Sequence, residues 1–152
     1  KSVHLNGRDV TIEIRSPEVT SSVSAVSAVE GVRKRLVELQ RQVVYNSEHG
    51  IVIEGRDIGS VVLPDAKLKV FLTADPRVRA QRRGLEMGND LSEAELDAMQ
   101  ARITERDQKD SSRAISPLVA ASDAVIIDTS DMSQDQVIDE VVRLAQGTYP
   151  VA

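Results

Sequence analysis

Three short groups of residues in this chain have types and spacings that burial alone does not call for. The first is Gly55-Arg56-Asp57, with a second glycine at Gly59. It closes a short apolar run, Ile51 to Ile53, that reads as a buried strand, and ligands of parallel sheets bind outside the carboxyl ends of strands. A charged pair at that place faces a crevice; an ordinary surface turn explains the same residues. The second group is Arg79, Arg82 and Arg83, which share one face of a helix because they stand three and four positions apart. Adjacent guanidiniums repel unless an anion lies between them, and phosphate is the anion that arginine forks match. A solvated helix face, partly neutralised by Glu86, is the plain alternative. The third is Glu105-Arg106-Asp107-x-x-Asp110-x-x-Arg113. If a helix continues through it, Arg106, Asp110 and Arg113 form a row able to donate to a phosphate and accept from sugar hydroxyls. An intrahelical ladder of salt bridges would look the same.

The elements that must hold these groups can be read from periodicity. Val3 to Leu5, the Asn6-Gly7 pair and the alternation Val10, Ile12, Ile14 signal a β-hairpin in a small outlying sheet. Val32, Leu36, Leu39 and Val43 form one helical stripe, with Arg33, Lys34, Glu38 and Arg41 mostly on the other faces. Ile51–Ile53, Leu68–Leu72 and Ala124–Ile127 read as strands. Asp75 is a candidate N-cap and Pro76 a first helical residue, for a helix through Arg83 that Gly84, Gly88 and Asn89 interrupt. Ser92-x-x-Glu95 and Ser133-x-x-Gln136 are capping-box patterns, the second opening an amphipathic helix with Val137, Val141 and Leu144 inward and Gly147 at its end. Strands alternating with helices predict an α/β layout around a parallel sheet.

With 152 residues and 41% hydrophobic content, the chain is long enough for one domain with a real core. A net charge of −5 and 2% aromatic residues argue against a nucleic-acid partner. No stretch approaches a membrane span, no signal-peptide layout opens the chain, and there is no cysteine for disulfides, thiolate metal sites or thiol nucleophiles. A cytoplasmic protein is expected, and an opening at Lys1 suggests further residues upstream. His4 and His49 lack metal-ligand spacing.

Taken together, the motifs resemble one family, the bacterial cytidylate kinases. The family pattern Gly-Arg-Asp-x-Gly-Thr-Val-Val-Phe-Pro-Asp-Ala stands here as GRDIGSVVLPDA, with Ser60 and Leu63 as conservative departures. Glu-Arg-Asp-x-x-Asp-x-x-Arg-Ala-x-x-Pro-Leu stands as ERDQKDSSRAISPL. LNGRDVTIEIRSPEV, SAVSAVEGVR and SDAVIIDTSDMSQDQVI are also similar, so the likeness covers nearly the whole chain in the family's order.

The resemblance implies a P-loop nucleoside monophosphate kinase fold, a parallel sheet flanked by helices, and transfer of the ATP γ-phosphoryl group to CMP or dCMP with Mg²⁺ as the metal. It places Ser24, Arg33 and Asp57 around the cytosine, Arg106 and Asp110 near the pentose, and Arg113 at the substrate phosphate; Arg56, by its place beside Asp57 at the crevice, is expected to help there. It places Arg79, Arg82 and Arg83 in the lid. It divides one folded unit into a CMP-binding segment (1–49), core strands with the Gly-Arg-Asp motif (50–75), the lid and following helix (76–113), and a C-terminal strand and helix (114–152). The family's Gly-x-x-x-x-Gly-Lys-Ser/Thr loop is missing, because no Gly-Lys pair occurs anywhere in the sequence. By alignment the chain is expected to begin after that P-loop, its strand and its helix, which would leave sheet edges and apolar surface exposed. An inactive nucleotide-binding module and a UMP-accepting relative remain open. Small-molecule partners, no membrane and a monomer complete the expectation.

Overall fold

The computed structural model describes residues 2–48, 50–88 and 90–149; His49 and Asn89 lie outside them. The chain runs β1 (His4–Leu5), β2 (Arg8–Asp9), α1 (Pro17–Ala28), α2 (Glu30–Tyr45), β3 (Val70–Thr73), α3 (Pro76–Glu86), α4 (Glu93–Ser111), β4 (Val125–Asp128) and α5 (Gln134–Thr148). β1 and β2 form the expected hairpin, turned by Asn6 (φ 51°) and Gly7 (φ 82°). β3 and β4 pair in parallel, with Val70 opposite Val125 and Thr73 opposite Asp128. The α/β layout with a small parallel sheet is therefore present. Among the described residues no helix is long and apolar enough to cross a membrane.

Local chemistry explains the helix starts. Ser16 accepts from the Val19 amide at 3.3 Å ahead of Pro17, and Asp75 accepts from the Arg77 amide at 2.8 Å ahead of Pro76. Both satisfy amides that have no partner within the helix. At the start of α4, Glu95 reaches back to the Ser92 amide at 2.9 Å; at the start of α5, Gln136 reaches the Ser133 amide at 2.8 Å.

Four expectations are corrected. Ile51–Ile53 forms no strand: neither two-stranded sheet includes it, and Val52 is 98% exposed. An apolar run becomes a strand only where a neighbour completes its ladder. The alternation at Val10, Ile12 and Ile14 is not strand either, because Asp9 accepts from the Thr11 amide at 2.9 Å and turns the chain into a 3₁₀ turn at Glu13–Arg15. Gly84 does not interrupt α3. It is buried inside the helix, which ends instead before Gly88 at φ 72°. Fourth, the core is small: among the described residues the buried hydrophobic ones are Val62, Ala80, Leu96 and Ile127. The stripe Val32, Leu36, Leu39 and Val43 stays exposed, as do Leu72 and Ile126 of the sheet. A sheet of two strands offers too little area to cover these faces.

The best-buried junction lies after Gly55. A Cβ at Gly55 would sit 2.8 Å from Ile58 Cγ1, so glycine leaves room for the Ile58 side chain to pack against the backbone. Residues Ile58–Val62 then form one wide π-helical turn, closed by the Leu63 amide on the Ile58 carbonyl at 2.7 Å. Arg41 of α2 clamps this turn, its Nε donating to the Val62 carbonyl at 2.8 Å and its Nη2 to the Val61 carbonyl at 2.9 Å. Replacing Arg41 by Met keeps the aliphatic stem and removes both donors. We expect a loss of about 1–3 kcal/mol in unfolding free energy, read as a lower urea midpoint at unchanged slope.

Candidate functional site

Two clusters meet at Arg56 and Asp57, consecutive residues with opposite partners. Asp57 turns toward α2. It is 5% exposed, and its Oδ2 lies 3.4 Å from Arg33 Nη1, within ion-pair reach. Neither Asp57 Oδ2 nor Arg33 Nε has a hydrogen-bond partner. Two buried groups of opposite charge thus keep an acceptor and a donor in reserve, a state that proteins rarely leave unanswered.

Arg56 turns toward α4, which carries the third motif. The helix continues to Ser111, so Arg106 and Asp110 share it as expected, but it stops short of Arg113. Arg56 pairs with Asp107 through Nη2 and faces Asp110 with Nε. Asp110 is 1% exposed and is also gripped by Arg113, while Arg106 stands 3.8 Å away with its side chain half in solvent. Beyond the helix end the chain folds back, the Leu118 amide donating to the Asp110 carbonyl at 2.9 Å, and this return holds Arg113 in place.

The α3 arginines do not converge. Arg79 pairs with Asp107. Arg82 crosses the carboxyl ends of the parallel strands, donating to Thr129 Oγ1 at 2.8 Å, the Thr129 carbonyl at 2.5 Å and the Met132 carbonyl at 3.0 Å. Arg83 is exposed and pairs with Glu86 at 2.9 Å, the neutralisation foreseen from spacing. Ser24 lies in α1, and its side chain is outside the described set. Two residues escaped the sequence reading: Asp107, which joins Arg56 to Arg79, and Arg41. The signal for Asp107 was present, since it sits inside the Glu-Arg-Asp motif.

Electrostatically, four guanidiniums, from Arg56, Arg79, Arg106 and Arg113, face two carboxylates, Asp107 and Asp110, leaving two positive charges in excess. Burial pushes the Asp107 carboxyl upward, but its bonds to Arg79 and Arg56 outweigh that and hold it below the ordinary carboxylate range. Such a row can receive a dianion, and phosphate is the shape it fits. Among the described residues no three His, Asp or Glu side chains gather into a metal cage.

A small α/β frame that gathers arginines and aspartates from a loop and a facing helix has the polar make-up of a ligand site. A family profile described as Cytidylate kinase matches residues 1–147. A cytidylate kinase of Streptomyces avermitilis is 52% identical over 95% of this chain and 61% of its own length. That of Desulforamulus reducens is 51% identical over 93% of this chain and 63% of its own. That of Mycobacterium leprae is 50% identical, again over 93% and 63%. The chain belongs to the cytidylate kinase family, and with it to the nucleoside monophosphate kinase fold. It spans about three fifths of the length of these relatives.

The Asp107 pairs set an acid dependence. Because the folded-state carboxyl titrates below the unfolded value of about 3.9, the ionised group stabilises the fold above that pH, and the contribution is lost as pH falls through the lower folded value. Asp107→Asn should therefore destabilise the protein near neutrality and show a shallower loss of stability below about pH 4, measured by urea unfolding across pH.

Proposed function

We propose that these residues form the acceptor side of an enzyme that moves the γ-phosphoryl group of ATP to CMP or dCMP, giving ADP with CDP or dCDP. The observation that carries this reading is the buried Arg33–Asp57 pair with its unused hydrogen-bonding atoms. Cytosine answers both: its exocyclic amine donates to the carboxylate, and its ring nitrogen and carbonyl accept from the guanidinium and from Ser24. Uracil turns a carbonyl toward Asp57 where the amine should be, setting acceptor against acceptor.

The rest of the ligand follows the cationic row. Arg106 and Asp110 take the pentose hydroxyls, and Arg113 with Arg56 takes the monophosphate, whose two charges match the local excess of two. Arg79, Arg82 and Arg83 of α3 serve as the lid residues, spreading positive charge over the phosphoryl group as it moves. No side chain is covalently modified, since such transfers rest on alignment and on cations around the moving group. Among the described residues no three His, Asp or Glu side chains gather into a metal cage, and in this reading Mg²⁺ arrives on the phosphates of ATP. The sequence contains no Gly-Lys pair, so the cradle for the ATP phosphates is assigned to residues other than these. The same absence favours a second reading of the chain alone, a module that binds CMP without turning it over. The four-segment division read from the sequence is part of this proposal, with one strand rather than two in 50–75, and the proposed compartment is the cytoplasm.

Titration calorimetry of the chain with CMP, UMP and ATP tests the reading. CMP should bind roughly ten- to a hundredfold more tightly than UMP, and Asp57→Asn should erase most of that preference. Equal affinity for CMP and UMP in the unaltered chain would sink the proposal; ADP formation by the chain alone would remove the binding-module reading.

A further inference from the structure

Asp107 stands between two arginines from separate parts of the fold. One carboxylate oxygen accepts from Arg56 Nη2 and the other from Arg79 Nη1. Arg56 belongs to the turn that also carries Asp57, and Arg79 to the beginning of α3. Among the described residues Arg79 has no other acidic partner, while Arg56 gives its Nε edge to Asp110. A guanidinium has five N–H donors. Asp107 uses one from each arginine, so donors remain on both for an incoming anion. Left alone, the two cations would repel, and each flexible side chain would lose rotamer freedom on meeting a phosphate. Held by a shared carboxylate, they meet it already ordered.

We propose that Asp107 is a positioning residue that holds Arg56 and Arg79 side by side so that both present donors to the phosphate of a bound nucleoside monophosphate. The inference rests on the CMP-binding reading above. It separates a phosphate-specific role from a merely structural tie between α3 and α4, because a structural tie would affect every ligand of the pocket alike.

The experiment compares CMP with cytidine, which lacks only the phosphate, on the unaltered chain and on Asp107→Asn by titration calorimetry near neutral pH. The expected result is a preference for CMP over cytidine that falls roughly tenfold in the variant, with cytidine affinity held within about twofold. Asp107→Glu, which keeps the charge, should retain most of the preference. If Asp107→Asn loses its helical circular dichroism, Arg79→Gln, at the other end of the pair, carries the same comparison with the same expected fall. An unchanged preference, or an equal fall for both ligands, overturns the role of Asp107 and leaves the CMP reading standing. An unaltered chain with no affinity for CMP overturns both.

Discussion

The burial of Asp110 is the constraint on which the site depends. A carboxylate with 1% of its surface exposed is stable in ionised form only if cations replace the water it has lost. Here they come from three places: Arg56 from the Gly-Arg-Asp motif itself, Arg106 from the preceding turn of α4, and Arg113 from the chain beyond it. To satisfy one charge, the fold must bring a loop, a helix and a chain reversal to one point. Ser116 shows how tight that reversal is, for it is buried and adopts φ 56°, which side chains other than glycine seldom take. Networks of this kind are weak evidence of stability, but they fix geometry.

That geometry extends through a single peptide bond. Arg56 faces the cationic row on α4, and Asp57 faces Arg33 on α2. One surface is sorted by charge and the other by hydrogen-bond pattern, with the Arg41 clamp on the Ile58–Val62 turn keeping the two in register. In the proposed reading, a phosphate and a base at opposite ends of one small molecule are measured by adjacent residues. This leaves little slack in the distance between them.

Much of this was legible in the sequence, for identifiable reasons. Capping residues are local chemistry, so Asp75, Ser92 and Ser133 announced their helices correctly. Spacing put Arg106, Asp110 and Arg113 on one side of a helix; Arg106 and Asp110 stand on α4, while Arg113 lies just past its end and reaches Asp110 from the returning chain. α1 was not read as a helix because its serines and valines are poor helix formers, although Ser16-Pro17 marked its start. Ile51–Ile53 and the 10–14 alternation looked like strands because pattern records polarity and not partners. Spacing likewise gives a face but not a target: Arg79, Arg82 and Arg83 share a helix, yet one reaches a carboxylate on α4, one the backbone after β4, and one its own helix. Asp107 was passed over because it falls one position off the Arg106 row, on the side that meets α3.

The hold of Arg82 on the loop after β4 has an electrostatic consequence. Among the described residues its hydrogen-bond partners are two carbonyls and a hydroxyl, none of which carries charge. The cation is fixed in place without being neutralised, at the end of the parallel strands. Its field reaches outward over about a Debye length, ~8 Å at physiological ionic strength, and raises the local potential at the ends of the parallel strands. In a chain of net charge −5 this is a local patch of the opposite sign, one that added salt would dim without altering its shape.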